Sequence, residues 1–295
     1  MEEKKQNKPK MTWQRKLILI ISFCVLAFCA YKLIPKLMEY GKSRETYEHI
    51  RENVVKKPEK PEKPAADSET ETVSEVPDDS FKIDWEKFKG ENVVAWLQLD
   101  DIGYPVMQGK DNEQYLHTLP DGTYNYGGSI FLEAKNKSDF TDQNSIIYGH
   151  NMADGSMFGK FRSRYGDAKY KDHTFDLYLP DGTRHTYTFF AVVLTTGGSD
   201  VYTYRFGSED QFLTYQTTEQ EMSLYKNSAK PDPKAHLVSL STCNGYEGTN
   251  NRLVIQGIET GVKKTQDAAS WWKPDTNVSD TEQELAEEMS SDIGG

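Results

Sequence analysis

Cys243, Arg252 nine positions later, and His150 are residue types that can do chemistry together. A cysteine thiolate is a nucleophile. A fixed cation beside it favours ionisation and can hold an anion that develops on a substrate. A histidine in the same place supplies the acid or base such a reaction needs. The cysteine and the arginine lie in residues 235–258, AHLVSLSTCNGYEGTNNRLVIQGI. Residues 237–240 and 253–258 are apolar, strand-like runs. Asn244, Gly245, Gly248, Asn250 and Asn251 between them are residues that turns recruit. Two antiparallel strands joined there would bring Cys243, closing the first, beside Arg252, opening the second, at one edge of a sheet. His150 follows the apolar run 145–148 and Gly149, a strand end passing into a glycine-containing loop. Sheets often present catalytic groups at such places.

The elements that must position these groups occupy the middle of the chain. The pattern from residue 81 to about 262 is mostly β, with short runs at 128–132, 145–148, 174–179 and 186–194. Pro120-Asp121-Gly122 and Pro180-Asp181-Gly182 are turn signals between them. Regular short strands with glycine-rich turns favour a closed β-barrel over a sandwich. A short amphipathic helix is expected soon after Phe81, leading into the first long strand. A second helix is expected over 208–225, with Ser208 as N-cap and Glu209 and Asp210 in its first turn. Its Phe212, Tyr215, Met222 and Tyr225 are expected to pack into the core. His117, His173 and His185 sit in polar, turn-like surroundings and read as solvated surface residues, and His236 as structural. Scattered histidines and one cysteine in the domain lack metal-ligand spacing, so no metal site and no cofactor are expected.

The flanks set the expected location. Of three cysteines in 295 residues, Cys24 and Cys29 fall in an apolar run near the start, leaving Cys243 with no disulfide partner in the domain. Lys4, Lys5, Lys8, Lys10, Arg15 and Lys16 precede that run. The positive-inside rule therefore expects residues 1–16 in the cytoplasm, 17–34 as a transmembrane anchor with Lys32 snorkelling, and the remainder outside the cell membrane. A cleaved signal peptide fits less well, because Phe28 spoils the small-residue site near Ala30. Residues 35–80 read as a juxtamembrane segment followed by an extended Pro/Glu/Lys-rich spacer, 81–262 as the folded domain, and 263–295 as an acidic, mobile tail. Trp271 and Trp272 can pack back on the domain or meet a partner, and both remain open. A net charge of −11 argues against nucleic acid as the main partner.

Taken together, these motifs resemble the class B sortases. The resemblance rests on LSTC at 240–243, Arg252, IIYGHNM around His150, YPVMQGKDNEQYLH at 104–117, GGSIFLEAKN at 127–136 and GSMFG at 155–159. It covers most of 81–258 and implies a mainly β fold. That fold would be a closed eight-stranded sortase-type barrel with an N-terminal helix and one inserted helix before the cysteine strand. It also implies a membrane-anchored transpeptidase on the outer face of a Gram-positive bacterium, with no cofactor. Cys243 would form a thioacyl intermediate with a C-terminal sorting motif of secreted proteins, and a peptidoglycan precursor amine would resolve it. His150 would move the protons, and Arg252 would steady the oxyanion or hold the peptide. By position, Asn112, Leu116, Tyr148, Tyr202 and Ser241 resemble substrate-groove residues. Relatives often carry an acid two positions past the cysteine. This chain has Gly245 there, with Glu247 the nearest acid. An L,D-transpeptidase would keep its arginine almost beside the cysteine, and a papain-like protease would place its cysteine at an early helix N-terminus. A non-catalytic displayed binding module would explain the anchor and spacer but not the thiol beside an arginine.

Overall fold

Turn chemistry divides residues 93–264 into the strands of one closed barrel. The computed structural model describes residues 12–56, 81–245 and 249–273. Residues 1–11, the spacer at 57–80, Glu247 with its neighbours 246 and 248, and the tail from 274 lie outside the described residues.

The barrel strands are β3 (Val93–Leu99), β4 (Ile102–Gln108), β5 (Ile130–Leu132), β6 (Asn144–Tyr148), β7 (Thr174–Tyr178), β8 (Thr183–Thr196), β9 (Leu237–Cys243) and β10 (Asn251–Lys264). They close in the order β10-β8-β7-β3-β4-β5-β6-β9. Six of the eight neighbouring pairs are antiparallel; β4–β5 and β6–β9 run parallel. Parallel neighbours need long crossovers. The one between β6 and β9 contains α2 (Phe161–Tyr165), β7, β8 and α3 (Glu209–Met222). At the β7–β8 turn, Asp181 Oδ1 accepts from both Thr183 N and Thr183 Oγ1, and Gly182 takes φ +89°. That is the Asx-type turn the Pro-Asp-Gly signal announced.

The barrel interior is filled by side chains from alternate strand positions and from the loops, including Leu97, Val106, Ile130, Ile147, Phe189, Leu240 and Ile255. Each fully buried side chain of this size stabilises by ~1.5–3 kcal/mol relative to exposure. Ser208 caps α3 as expected, its side chain accepting from Gln211 N. Phe212 and Tyr215 of that helix are buried, but the helix ends at Met222, which is 49% exposed, so its expected place in the core is corrected. Successive residues of α3 turn by about 100°, and residue 222 falls past the edge of the stripe that faces β8. Tyr225 lies beyond the helix and donates to Tyr165 O at 2.9 Å.

The helix near Phe81 is a single 3-10 turn, Trp85–Phe88. Ahead of it, α1 (Trp13–Val54) has two characters. Its 18-residue apolar window averages a hydropathy of 2.5 and is not buried at all, so it is long and apolar enough to cross a membrane. From residue 43 onward one face alone is covered: Ser43 and Tyr47 at 4% exposure and Val54 at 3%. β1 (Val55–Lys56) then pairs with β2 (Lys82–Ile83). The packed body therefore begins before residue 81, with the last turns of α1 docked on the barrel. Trp271 packs back as well, its indole N–H donating to Trp85 O at 3.2 Å.

Candidate active site

The site is assembled at the ends of three neighbouring strands. In the β9–β10 pair, Cys243 stands directly opposite Arg252. The thiol is free and half-buried. Arg252 Nη1 donates to Thr249 O at 3.2 Å and Asn251 O at 3.0 Å. These bonds use the two hydrogens of one guanidinium nitrogen on the chain's own loop and hold the cation at the sheet edge. The other two nitrogens carry three further N–H groups.

On the other side of β9 runs β6, parallel to it, with Tyr148 opposite Ser241 and Gly149 N donating to Ser241 O at 3.1 Å. His150 follows two residues past Tyr148, just beyond the end of β6. Cβ on Gly149 would stand 2.6 Å from Ile130 Cδ1 and from Phe158 Cδ2, so the chain turns out of the sheet where no side chain fits. His150 Nε2 lies 2.8 Å from Leu116 O. A carbonyl can only accept, so Nε2 carries a hydrogen and the neutral ring has its bare nitrogen at Nδ1. The ring stacks on His117 at 5.5 Å and Tyr126 at 5.9 Å between centroids. Burial holds its pKa below the ordinary imidazole value; the Leu116 carbonyl opposes that shift and the neighbouring His117 adds to it.

The segment 115–129 that supplies these partners is itself braced. Gly128 takes φ +51°, and a Cβ there would stand 2.2 Å from Leu116 O. Tyr47 of α1 donates to Gly128 O at 2.9 Å, and Asn125 Nδ2 donates to Glu39 O at 2.9 Å. The docked half of α1 thus grips the loop that carries the hydrogen-bond partner of His150.

The residues expected in a substrate groove form a second chain of contacts. Tyr202 lies in a 3-10 turn, Asp200–Tyr202, held because Asn144 of β6 donates through Nδ2 to Thr203 O at 2.9 Å. Tyr202 stacks on Tyr148 at 6.2 Å and its hydroxyl bonds Ser241 Oγ at 2.8 Å. Burial raises the Tyr202 pKa; the Ser241 bond and the Arg252 charge pull it down, and Cys243 pushes it up, so the phenol feels both groups at the strand ends. Tyr148 donates to Glu133 Oε2 at 3.0 Å, and Asn112 Nδ2 donates to the same oxygen at 2.6 Å. Asn112 Oδ1 in turn accepts from Ala134 N at 2.9 Å. Burial and then the Glu133 charge push the Tyr148 pKa far up, so this hydroxyl stays a donor.

Asn112, Leu116, Tyr148, His150, Tyr202, Ser241, Cys243 and Arg252 therefore gather at one end of the barrel. Leu116 enters through its carbonyl. Sequence reasoning missed Glu133, His117 and Tyr126. Glu133 is 9% exposed and has a signal that could have found it, since it ends the apolar run of β5. The reading of His117, His173 and His185 as solvated is corrected. All three are half-buried, His117 stacked on His150, His173 donating to Asp100 Oδ1 at 2.9 Å and His185 to Glu259 Oε1 at 2.6 Å. Their partners come from distant parts of the chain, which local polarity cannot reveal. His236 is structural as expected, its Nδ1 3.1 Å from Asp142 O. Among the described residues no group of three or more His, Cys, Asp or Glu is placed to hold a metal ion.

No protein-family model matches the chain. It is 36% identical over 171 residues to sortase B of Listeria monocytogenes, a match spanning 56% of this chain and 69% of that protein. Against sortase B of Staphylococcus aureus it is 22% identical over 245 residues, 81% of this chain and 93% of the other. The X-ray structure of Clostridium perfringens sortase B superposes with a TM-score of 0.53 at 26% identity, covering 58% of this chain and 94% of that one.

Proposed function

The chain belongs to the sortase B family and is a cysteine transpeptidase, and on that premise we propose that it cleaves a C-terminal sorting motif of secreted proteins and joins them to a peptidoglycan amine. Cys243 attacks the scissile carbonyl as the thiolate, forming a C–S bond. His150 as imidazolium protonates the departing amine as the C–N bond breaks. The incoming amine then attacks the thioester, His150 takes its proton, and the C–S bond breaks to restore the thiolate. Arg252 stabilises the oxyanion formed at each attack. One such donor is worth ~3 kcal/mol of barrier. Tyr148, Tyr202, Asn112 and Ser241 line the groove that holds the peptide, and the carbonyl of Leu116 orients the imidazole.

The observation that supports this most is the row of strand ends: β6, β9 and β10 are neighbours, with Tyr148 opposite Ser241 and Cys243 opposite Arg252. A thiol, an imidazole and a guanidinium at that row match the three roles an acyl transfer through a thioester requires. Replacement Cys243→Ala should abolish peptide cleavage and the mass of the thioacyl adduct while leaving the melting temperature within a few degrees. Retained turnover in that variant would remove the nucleophile assignment.

The first half of α1 serves in this proposal as an uncleaved membrane anchor, with residues 1–16 cytoplasmic and the barrel outside, close to the bilayer. Its unburied apolar window supports that reading. The full-length protein should stay with membranes through an alkaline carbonate wash. A mature form beginning shortly after Ala30 would refute the anchor.

A further inference from the structure

A cavity of about 440 Å³ lies between α3, the strand end at Thr195 and the segment 199–206. That volume falls in the range of small-molecule sites. Two acids line it, Glu219 and Asp200, and no lysine, arginine or histidine does. Glu219 is 1% exposed, and its Oε2 has no hydrogen-bond partner. A buried carboxyl oxygen without a partner is a costly arrangement that a native fold rarely keeps without a use.

Among the other polar groups around it, the Gln211 amide and the Ser199 and Thr203 hydroxyls can donate or accept, while several threonines are committed as donors. Thr214 Oγ1 donates to Asp210 O at 2.8 Å, Thr218 Oγ1 to Thr214 O at 3.0 Å, and Thr195 Oγ1 to Ser199 Oγ at 2.8 Å. Their hydroxyl hydrogens are therefore committed and their lone pairs are what they present. Tyr215, also in the lining, donates to Val201 O at 2.9 Å. A lining with two acids, one of them holding an unpartnered oxygen, and no cation suits a group that only donates, and an ammonium carries three donors and no acceptor. Phe206 and Met222 in the same lining give an alkyl stem something apolar to lie on.

We propose that this cavity binds a primary alkylammonium group, its charge against Glu219 and Asp200 and its stem along Phe206 and Met222. Burial and the Asp200 charge push the Glu219 pKa up to about 7, and a cation beside it acts in the opposite direction. The charged and titratable groups facing this carboxyl are Asp200 from the 199–206 segment and Tyr215 from its own helix. The cavity adjoins the strand ends: Thr195 in its lining pairs opposite Arg252, and of the turn Asp200–Tyr202 one end lines the cavity while the other carries the hydroxyl on Ser241.

The test is a methyl NMR titration of the full-length chain in detergent, labelled at methionine methyls, with the Met222 signal assigned from Met222→Leu. The probe is n-butylammonium, with butan-1-ol and sodium chloride as controls. A saturable shift of the Met222 methyl with n-butylammonium and none with either control is the expected result. Glu219→Gln keeps the shape and removes the charge, and should weaken binding about tenfold or more. Nα-acetyl-lysine amide run in parallel separates sources. Binding as tight as the simple amine assigns the site to a lysine side chain, and much weaker binding assigns it to a small free amine. Equal shifts with butan-1-ol, no saturable shift with the amine, or unchanged affinity in a folded Glu219→Gln variant would each overturn the proposal. If that variant does not fold, the amine-against-alcohol comparison on the unmodified chain decides it alone.

Discussion

Glu133 is the residue whose removal should most clearly expose how Asn112 and Tyr148 are held. Its Oε2 accepts from Asn112 Nδ2 at 2.6 Å and from Tyr148 Oη at 3.0 Å, and its Oε1 from Lys135 N at 3.3 Å. Hydrogen bonds to a charged group contribute ~1.5–3 kcal/mol each, and a buried donor left unpaired costs ~1–3 kcal/mol. Tyr148→Phe removes one bond and leaves the carboxylate its other partners, so ~1.5 kcal/mol is expected. Glu133→Ala strands two side-chain donors at once, for a loss of ~3–5 kcal/mol. Both changes delete the same bond, so the double variant should be less destabilised than the sum, with a coupling of ~1.5 kcal/mol or more. Urea unfolding of the chain lacking residues 1–38, run on the four members of the cycle, measures this. Glu133→Gln is a further control. Its amide oxygen can take the place of Oε2 and serve both side-chain donors, at the loss of the longest bond, so it should fall within ~1 kcal/mol of the parent. Peptide cleavage on the same proteins should drop about tenfold in kcat/KM for each 1.4 kcal/mol by which Tyr148 contributes to the transition state. A coupling below ~0.5 kcal/mol would refute the network, because that is what independent residues give.

Gly128→Ala should lower kcat/KM by about fivefold while leaving alkylation of Cys243 unchanged, since the added methyl displaces the Leu116 carbonyl from His150 and one such bond is worth ~1 kcal/mol. Equal activity in the variant, measured by peptide cleavage, would show that this carbonyl does not orient the ring. The His150 pKa is lowered by burial, so the limb of the pH–rate curve that reports the imidazole should lie below ~6.5. The same shift acts on stability. Above ~6.5 the ring is neutral in both folded and unfolded chains, and as pH falls the unfolded chain takes up a proton that the folded site resists. Stability is therefore lost from ~6.5 downward through the folded value, and His150→Asn should flatten that part of the melting-temperature profile. An unchanged acid slope in the variant would contradict the burial argument.

What was legible in the sequence was local. Cys243 and Arg252 flank a run of turn residues, so an antiparallel hairpin was enough to oppose them, and the structure pairs them. The Pro-Asp-Gly turn into β8 and the Ser208 cap of α3 were readable because their hydrogen bonds close within two or three residues. The motifs around His150 and Cys243 pointed to the sortase-type barrel, whose closure depends on contacts between distant strands. Only the tertiary structure decided what stands beside His150. Its place beyond the strand end beside Ser241 depends on the parallel β6–β9 pairing, which no local pattern sets in register. Its partners, Leu116 O, His117 and Tyr126, come from a loop gripped by α1. Glu133 likewise acquires its meaning from Asn112 and Tyr148, brought to it from the β4–β5 crossover and from β6. Periodicity names the face a residue occupies, but the neighbour across that face belongs to another part of the chain. For that reason Met222 read as core and His117 as surface, and packing placed both otherwise.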